Sequence, residues 1–258
     1  MSDAAGENAV ARYPSLAGKA VVVTGGASGI GAAIVEAFAG QSARVFFLDI
    51  DAASGEALAR RIGGRAEFRP VDLADVGGLR CVIKAIEQEA GGGIDVLVNN
   101  AARDDRHDWA GVDPEHWRRM LAVNLDHQFF ATQAVVPGMA ARGGGSVILF
   151  GSRSWMRGLP NMVGYTTAKA AINGLTRTLA REFGGMGIRV NCVVPGAVVT
   201  ERQRRLWTPP EDDARILDRQ ALKFRLAPWH VARVVLFVAS AEAGGCSGAN
   251  FIVDGGVM

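Results

Sequence analysis

The chain has 258 residues, of which 49% are hydrophobic, and its formal net charge is +2. That length and composition suit one α/β domain with a sizeable core rather than two cramped domains. Because the arginines are scattered along the chain, the sequence carries no electrostatic footprint for nucleic acid or an anionic membrane, and we expect neither partner.

The N-terminal stretch, the cysteines and the histidines narrow the class of protein further. Residues 1–18 lack a basic stretch followed by an apolar one, and no apolar run approaches the roughly 18 residues that span a bilayer. Cys81, Cys192 and Cys246 lie far apart without a CxxC pair, and the histidines lack metal-ligand spacing. We predict a soluble, cytoplasmic protein without a disulfide or metal, in which a weakly ordered lead-in at 1–18 precedes a single domain at 19–258.

A glycine-rich turn follows the first predicted strand. Residues 19–24 are short, β-branched and apolar, as in a buried parallel strand, and TGGASGIG at 24–31 leads directly into a helical pattern at 32–39. Glycines in this turn allow a tight bend, close approach of a ligand to the backbone and close packing of helix on strand. A pyrophosphate would lie over the helix N-terminus, where free N–H groups and the helix dipole favour an anion. The order of strand, glycine turn and helix predicts a dinucleotide site.

Asp49 stands at the end of the second predicted strand, Arg44–Leu48, about twenty residues beyond the glycine turn. An acidic side chain at this place can accept hydrogen bonds from the adenosine ribose hydroxyls and would repel a 2′-phosphate. It therefore favours NAD over NADP. The alternative is that Asp49 caps a helix over Ala52–Ile62.

Strands and helices alternate through the rest of the chain. Further strands are predicted at 66–71, 94–98, 146–150, 188–194 and 250–253, and further helices ending near 90 and over 114–141, 163–183 and 229–239. This alternation predicts an α/β fold with a single Rossmann-like domain, a doubly wound parallel sheet with helices on both faces.

The helix predicted over Val163–Phe183 carries the main catalytic signal. Tyr165 and Lys169 stand at i and i+4, so they share one helix face. An ammonium beside a phenol favours the phenolate and lowers a pKa that is ordinarily about 10, which makes the pair a candidate general base. Because a YxxxK pattern also arises by chance on amphipathic helices, other features must decide.

Taken together, these motifs resemble the short-chain dehydrogenase/reductase family from Leu16 to the C-terminus. The resemblance is carried by TGGASGIG at 24–31, Asp49, Asp72-Leu73, NNA at 99–101, Asn124, Ser152, Tyr165 with Lys169, Pro195-Gly196 with Thr200, and VDGG at 253–256. Ala102 departs from the glycine that most often follows NNA in the family. We expect this change to be tolerated.

The resemblance implies an NAD(P)-dependent oxidoreductase. Tyr165 would take the proton of a substrate hydroxyl while hydride passes to the nicotinamide, and Lys169 would lower the pKa of Tyr165 and bind the nicotinamide ribose. Ser152, with Ser154 as its rival, would hold the substrate oxygen. Asn124 would support a water relay, unless it is a helix-interior asparagine satisfied by the backbone. The implied cofactor contacts are Gly25, Ser28, Gly29, Ile30, Gly31, Asp49, Ile50, Asp72, Leu73, Asn99, Ala101, Tyr165, Lys169, Pro195, Val198 and Thr200.

Substrate recognition is predicted in Arg103–Trp109, Arg153–Met162 and a lid over about 201–226. Here the resemblance is closest to bacterial sugar 1-dehydrogenases, which oxidise aldoses to lactones. It is carried by YPSL at 13–16, DDRH at 104–107, SW at 154–155, TERQ at 200–203 and WTP at 207–209, whereas Met156 departs from a polar residue. The predicted substrate contacts are Ser152, Ser154, Trp155, Tyr165, His107 and Gln203.

The lid leaves two interpretations open. Gln203 and nearby arginines would bind hydroxyls, and Trp155 or Trp207 would offer a flat surface to a pyranose ring. Alternatively, the arginines at 202, 204 and 205 form a solvated face and the tryptophans are core or subunit contacts.

Two other functions compete with the sugar dehydrogenase. The same catalytic residues could reduce a 3-oxoacyl thioester, but that reaction normally uses NADPH and a basic patch for a carrier protein, against which Asp49 and the dispersed arginines weigh. A non-catalytic dinucleotide sensor would not need Asn124, Ser152, Tyr165 and Lys169 together.

The family resemblance also implies a homotetramer, assembled through the helices near 114–141 and 163–184 and the C-terminal segment.

Overall fold

The computed structural model describes residues 10–257, and within them seven parallel strands form one sheet in the order β3-β2-β1-β4-β5-β6-β7. The strands are β1 (Ala20–Thr24), β2 (Arg44–Asp49), β3 (Ala66–Pro70), β4 (Val96–Asn99), β5 (Gly145–Phe150), β6 (Ile188–Pro195) and β7 (Asn250–Val253). The chain order reverses between β1 and β4, which are neighbours in the sheet. The predicted doubly wound parallel sheet is confirmed.

Ten α-helices connect these strands within the described residues. They are α1 (Gly29–Gly40), α2 (Ala52–Ile62), α3 (Val76–Glu89), α4 (Pro114–Leu121), α5 (His127–Ala141), α6 (Arg153–Met156), α7 (Val163–Phe183), α8 (Glu201–Leu206), α9 (Asp213–Asp218) and α10 (Pro228–Ala239). Helices α1, α2 and α10 pack on one face of the sheet, and α3, α5 and α7 pack on the other.

Strand β1 shows why the central strands are apolar throughout. Val21 and Val23 belong to the core layer beneath α1 and α10, whereas Val22 belongs to the layer beneath α5 and α7. Successive side chains of a strand point to opposite faces, so a strand covered on both sides must be apolar at every position. Each fully buried valine side chain contributes about 1.5–3 kcal/mol of hydrophobic free energy.

The segment before β1 packs on the domain. Pro14–Leu16 form one 3-10 turn, and Leu16 lies in the core. Gln41 accepts a hydrogen bond from Tyr13 N and donates one to Ala11 O, both at 2.9 Å. Residues 1–9 of the predicted lead-in lie outside the described residues, and the domain boundary at residue 19 stays a prediction.

The predicted helix over 114–141 is continuous between these residues, but it contains a π-helical turn at Ala122–Asp126 that joins α4 to α5 and that the sequence pattern did not indicate. Asn124 lies in this turn, and its amide group donates to Met120 O at 2.9 Å and to Arg103 O at 3.0 Å. A side chain that competes for a helical carbonyl disturbs the regular i to i−4 ladder, and π turns recur at functional sites.

The predicted lid over 201–226 contains α8 and α9 and returns to the sheet at its end. Val199 N donates to Leu226 O at 2.7 Å, and Val198 forms a parallel bridge with Leu226. Both ends of the segment are therefore fixed at the carboxyl edge of the sheet. The short helix α6, directly after Ser152, is an element that the sequence pattern did not indicate.

Candidate active site

The glycine turn lies where β1 and β4 meet. Gly25 has a φ of 65°, and a Cβ there would lie 2.7 Å from Ala101 Cα, at the end of β4. A Cβ on Gly31 would lie 1.8 Å from Gly25 O. Both positions exclude any side chain, so the bare backbone forms the surface of the turn.

Helix α1 begins in this turn with free donors. Its N-cap residue, Ser28, makes no side-chain hydrogen bond to the first turn of the helix, within the described residues. The first N–H groups of a helix lack intrahelical partners, and the helix dipole there favours an anion. The turn and this helix terminus therefore fit the pyrophosphate of a dinucleotide.

Asn100 holds the turn in place, and sequence reasoning missed it. Its Nδ2 donates to Thr24 O at 3.1 Å and to Gly25 O at 2.9 Å. Asn99, which was predicted to contact the cofactor, instead turns its buried side chain toward α5 and donates to Thr132 Oγ1 at 3.2 Å. The cofactor contact of Asn99 stays a prediction. The doubled asparagine was the available signal, but it does not reveal which amide points to the turn.

Asp49 lies beside the glycine turn and does not cap α2. Its Oδ2 accepts a hydrogen bond from Ala27 N at 3.0 Å, and its Oδ1 accepts one from Asp51 N at 3.1 Å. The cap of α2 is Asp51, whose carboxylate accepts from Ser54 N at 3.1 Å. The helix-cap alternative for Asp49 is therefore wrong, and its carboxylate is held at the carboxyl end of β2 next to an exposed Ile50.

Thr200 reaches the same turn from the other half of the chain. Its Cγ2 would lie 3.2 Å from a Cβ on Gly29, and its hydroxyl caps α8 by accepting from Gln203 N at 3.2 Å.

Of the other predicted cofactor residues, Ile30 is partly buried in α1, Asp72 is exposed after β3, Leu73 and Val198 are buried, and Pro195 ends β6. Their contacts with a cofactor stay predictions.

Lys169 is buried beside Tyr165. Its Nζ donates to Phe150 O at 2.8 Å and lies 5.7 Å from the centroid of the Tyr165 ring. Burial lowers the pKa of Lys169 to about 8. The pair shares one face of α7, as its spacing predicts.

The expected effect of Lys169 on the Tyr165 hydroxyl is not found. The pKa of Tyr165 is raised to about 12: burial is the largest cause, the neighbouring Ser152 hydroxyl opposes it, and the smaller effects of the Asp104 and Arg106 charges raise and lower the pKa, respectively. The expectation of a lowered pKa is therefore wrong for this structure, because the ammonium is engaged by a carbonyl and lies near the ring, and burial disfavours the phenolate.

Ser152 and Ser154 form a pair rather than alternatives. Ser152 lies close enough to Tyr165 to lower the pKa of the phenol, and its Oγ lies 2.8 Å from Ser154 Oγ and accepts from Ser154 N at 3.2 Å. Ser154 is buried behind it. The structure therefore places Ser152 next to the phenol and Ser154 in support of Ser152.

Asn124 is satisfied by the backbone, as one of the two interpretations held. Its Oδ1 accepts from Arg103 N at 2.9 Å, and its amide group donates to Arg103 O and Met120 O. These bonds fasten the loop after β4 to the helix bearing Asn124. A role in a water relay stays a prediction.

Two buried residues behind Lys169 escaped sequence reasoning. Gln128 accepts from Phe150 N at 3.0 Å and donates to Phe150 O at 3.2 Å, the same carbonyl that receives Lys169 Nζ. His127 is fully buried, and burial, followed by the charge of Lys169, lowers its pKa to about 3, so that it is neutral near pH 7. Two polar residues within the apolar pattern of α5 were the signal.

The predicted substrate residues cluster between the loop after β4 and α8. Gln203 Nε2 donates to Asp104 Oδ2 at 2.7 Å, and Arg202 pairs with Asp105 at 2.5 Å. Asp104 was not among the predicted contacts. His107 lies in the same loop, where its Nδ1 is 3.0 Å from Asp105 O and its ring centroid is 5.2 Å from that of His116. Its Nε2 is buried without a hydrogen-bond partner among residues 10–257, and its substrate contact stays a prediction.

Of the three lid arginines, Arg202 and Arg204 pair with carboxylates, whereas Arg205 is exposed, as the solvated-face interpretation holds for it. Arg204 forms two hydrogen bonds to Asp213, at 2.7 and 2.8 Å, and Arg106 lies 5.4 Å over the ring of Trp207. Trp155 and Trp207 are half-buried, and their indole N–H groups have no hydrogen-bond partner among residues 10–257. A ligand oxygen would satisfy such donors.

Other expected features can be compared with the described residues. Cys81, Cys192 and Cys246 are all free thiols. Among residues 10–257, no group of three or more His, Cys, Asp or Glu side chains is arranged to hold a metal ion, and no helix is long and apolar enough to cross a membrane.

Comparisons with known proteins agree with this geometry. A sequence family described as enoyl-(acyl carrier protein) reductase matches residues 25–258. D-xylose 1-dehydrogenase of Caulobacter vibrioides is 49% identical over 95% of this chain and 97% of its own length. A protein named as a probable galactose dehydrogenase of Rhizobium meliloti is 45% identical, over 96% of this chain and 98% of its own length.

More distant relatives also align over nearly the whole chain. D-threitol dehydrogenase of Mycolicibacterium smegmatis is 37% identical over 93% of each chain. A solved structure of a short chain dehydrogenase/reductase family protein superposes with a TM-score of 0.84 at 34% identity, covering 94% of this chain and 98% of that one. The matches span the sheet, the glycine turn and the lid alike.

Proposed function

Because the chain belongs to the short-chain dehydrogenase/reductase family, we propose that it is an NAD-dependent aldose 1-dehydrogenase. It is an oxidoreductase of a family that uses nicotinamide dinucleotides. In the proposed reaction the C1–H bond of a cyclic aldose breaks and its hydride passes to NAD⁺. The proton of the C1 hydroxyl leaves to the protein, and the products are a lactone, NADH and one proton.

The observation that carries the proposal is the pair of relatives at 49% and 45% identity, both named for an aldose. Each alignment covers at least 95% of this chain and therefore includes the lid over 201–226, where substrate recognition is expected. The relative at 37% identity is named for a polyol. A polyhydroxy substrate is thus common to all three names.

We assign the proton transfer to the residues around Tyr165. Ser152, which lies beside Tyr165, would hold the C1 oxygen while Tyr165 takes its proton. At a pKa of about 12, only about one Tyr165 in 10⁵ is ionised at pH 7. The residues of the glycine turn would hold NAD⁺, whose chemistry is to supply a hydride acceptor that carries a positive charge. Lys169 would hold the nicotinamide ribose from the same helix face.

The preference for NAD over NADP rests on Asp49. Its carboxylate lies beside the glycine turn and accepts from Ala27 N and Asp51 N. A 2′-phosphate at this place would meet a like charge, whereas ribose hydroxyls would donate to it. Gly25, Gly29, Gly31 and Thr200 would hold the pyrophosphate.

Reduction of an acyl thioester is the second candidate, since the family description names an acyl carrier protein. The Asp49 carboxylate weighs against it through the cofactor. A second carboxylate, Asp104, near Tyr165 weighs against it through the substrate, because a 3-oxoacyl group brings only acceptors to that place.

We also propose a cytoplasmic homotetramer, for which a stable monomer in sedimentation at micromolar concentration would be the contrary result.

The test is a panel of free aldoses with the purified protein and NAD, followed by NADH absorbance and identification of the product. Parallel reactions contain NADP, or a 3-oxoacyl thioester with NADPH. Oxidation of one or a few aldoses to lactones with NAD is the expected outcome. Turnover of the thioester without turnover of any aldose would contradict the proposal.

A further inference from the structure

Asp104 places a partly buried carboxylate on the substrate side of the site. It lies in the loop after β4, and its side chain is 15% exposed. Gln203 Nε2 donates to its Oδ2 at 2.7 Å, whereas Arg202 Nε lies 3.7 Å from its Oδ1, beyond a hydrogen bond. Gln203 is itself fixed, because its backbone N–H donates to Thr200 Oγ1. The carboxylate is therefore oriented by one neutral hydrogen-bond donor and forms an ion pair with Arg202 at longer range.

This carboxylate lies within electrostatic reach of the reacting phenol. After burial, the charge of Asp104 is the cause that raises the pKa of Tyr165. Arg106, from the same loop, acts in the opposite direction and packs against Met162 and Trp207, which places this loop over the site. A substrate held at Ser152 and Tyr165 would thus extend toward Asp104.

The chemistry of a carboxylate restricts what it can bind. An ionised carboxylate is an acceptor only, with about four lone-pair positions, and Gln203 donates to one oxygen. A substrate that covers Asp104 without donating to it leaves a desolvated charge partly unpaired, which is costly. Neighbouring hydroxyls of a sugar supply the donors, whereas ketones, thioesters and hydrocarbon do not.

We propose that Asp104, positioned by Gln203, is a specificity-determining residue that accepts hydrogen bonds from aldose hydroxyls beyond the oxidised carbon. This inference rests on the proposed aldose oxidation and extends it, because it names the group that selects polyhydroxy substrates. It also gives α8 a role in substrate recognition. Gln203 belongs to that helix and hydrogen-bonds the Asp104 carboxylate, so the position of the helix affects the group that binds the substrate.

Asp105 offers a matched control in the next position. It is 48% exposed and pairs with Arg202 at 2.5 Å and Arg103 at 2.9 Å. It therefore contributes to holding the lid at the surface. Asp105→Asn and Asp104→Asn each remove one carboxylate charge near Arg202, but only Asp104→Asn removes the charge near Tyr165.

The experiment measures kcat/KM for the aldose that the panel identifies and for its monodeoxy analogues, in wild type and both variants. Hydrogen bonds to charged groups predict that Asp104→Asn lowers kcat/KM for the parent aldose by about 10- to 100-fold. Wild type should reject one deoxy analogue by a similar factor, and Asp104→Asn should lose that discrimination. Asp105→Asn should change kcat/KM less than about fivefold. NADH binding, followed by fluorescence, should be the same in all three proteins.

The contrary outcomes are distinct. If Asp104→Asn slows the parent aldose and every deoxy analogue by the same factor, or no more than Asp105→Asn does, the residue has a structural role and the inference is wrong. If wild type oxidises no aldose, the proposed function fails and this inference fails with it. Wild-type activity with intact discrimination in Asp104→Asn overturns the inference alone.

Discussion

The glycine turn at 24–31 with the neighbouring carboxyl ends of β1, β2 and β4, here called the cofactor edge, and the lid over 201–226 are held in shape by different interactions. At the cofactor edge, backbone groups and buried amides set the geometry: Gly25 and Gly31 leave no room for a Cβ, and Asn100 fastens the turn to β1. In the lid, ionic and polar side chains set it, as in Gln203 with Asp104 and Arg204 with Asp213. The geometry of the cofactor edge should therefore change when a substitution adds side-chain volume, whereas the geometry of the lid should change when a substitution removes a charge.

This difference matches the division of labour within the family. A dinucleotide presents the same phosphates and riboses to every relative, so an edge made of backbone suits them all. Substrates differ, and side chains on a lid can be exchanged without disturbing the sheet. Substitutions in the two regions should therefore produce separable defects, in cofactor affinity for one and in sugar specificity for the other.

The largest effect is expected where the two regions meet, at Tyr165. Tyr165→Phe removes the hydroxyl that lies beside Ser152 and would take the substrate proton. We expect kcat to fall by about 10²- to 10⁴-fold, the usual contribution of a general acid–base group. NADH binding, measured by fluorescence titration, should be retained. Loss of cofactor binding together with turnover would show that the two regions are not separable in this way.

A second substitution should break the cofactor edge alone. Gly25→Ala puts a Cβ 2.7 Å from Ala101 Cα at a φ of 65°. The strain should lower the free energy of unfolding by about 1–3 kcal/mol and weaken NADH binding. Gly40→Ala is the control, because its Cβ meets nothing within 4 Å, and it should be neutral or slightly stabilising. Denaturant unfolding and NADH titration measure both effects, and equal behaviour of the two variants would contradict a turn limited by volume.

Cofactor choice should depend on the Asp49 carboxylate at this edge. Asp49→Ser removes the carboxylate that accepts from Ala27 N and Asp51 N. We expect the ratio of kcat/KM for NADP to that for NAD to rise at least about tenfold, because a like-charge contact is removed. Measured initial rates with each cofactor decide this. An unchanged ratio would place the 2′-position away from Asp49.

The smallest effect is expected within the lid, at Asp213. A hydrogen bond from Arg204, rather than burial, holds the pKa of Asp213 below its usual value of 3.8. A lowered carboxyl pKa means that the pair stabilises the lid fully above about pH 4 and is lost as the pH falls through the folded-state value. Asp213→Asn should remove that stabilisation at every pH and raise the sugar KM less than about fivefold.

The control for that change lies one residue earlier. Asp212 pairs with Arg215 at 2.9 Å within three residues, where Arg215 is 65% exposed. Asp212→Asn should leave the sugar KM unchanged. Sugar KM at neutral pH and tryptophan fluorescence on either side of about pH 4 compare the two variants. A larger effect from Asp212→Asn would contradict a lid organised around Asp213.

The cofactor edge was also the more predictable region. The strands of the sheet and the helix α7, whose predicted bounds of Val163–Phe183 match the structure, follow from local apolar periodicity. The glycine turn was predicted from the glycines between a strand and a helix, because that order of residue types is typical of a tight dinucleotide-binding turn. Within this region, the roles of Asn99 and Asn100 were not predictable, because both stand at the end of the same strand and differ only in orientation.

The lid and the phenol were not predictable for another reason. Gln203 and Asp104 are 99 residues apart in the sequence, and their hydrogen bond depends on how two loops meet. The hydrogen bond from Arg103 N to Asn124 Oδ1, in the π turn, likewise joins two segments that are distant in the sequence. The raised pKa of Tyr165 depends on burial, which spacing along a helix does not reveal. Properties that arise from distant segments require the folded chain.

The proposed reaction at C1 can be tested most directly with an aldose that carries deuterium at C1. If the C1–H bond is the one that breaks, the deuterium should appear in the reduced cofactor, measured by mass spectrometry, and the product should be the lactone. Reduced cofactor that forms from the labelled sugar without deuterium would show that another carbon is oxidised, and would contradict the assignment as an aldose 1-dehydrogenase.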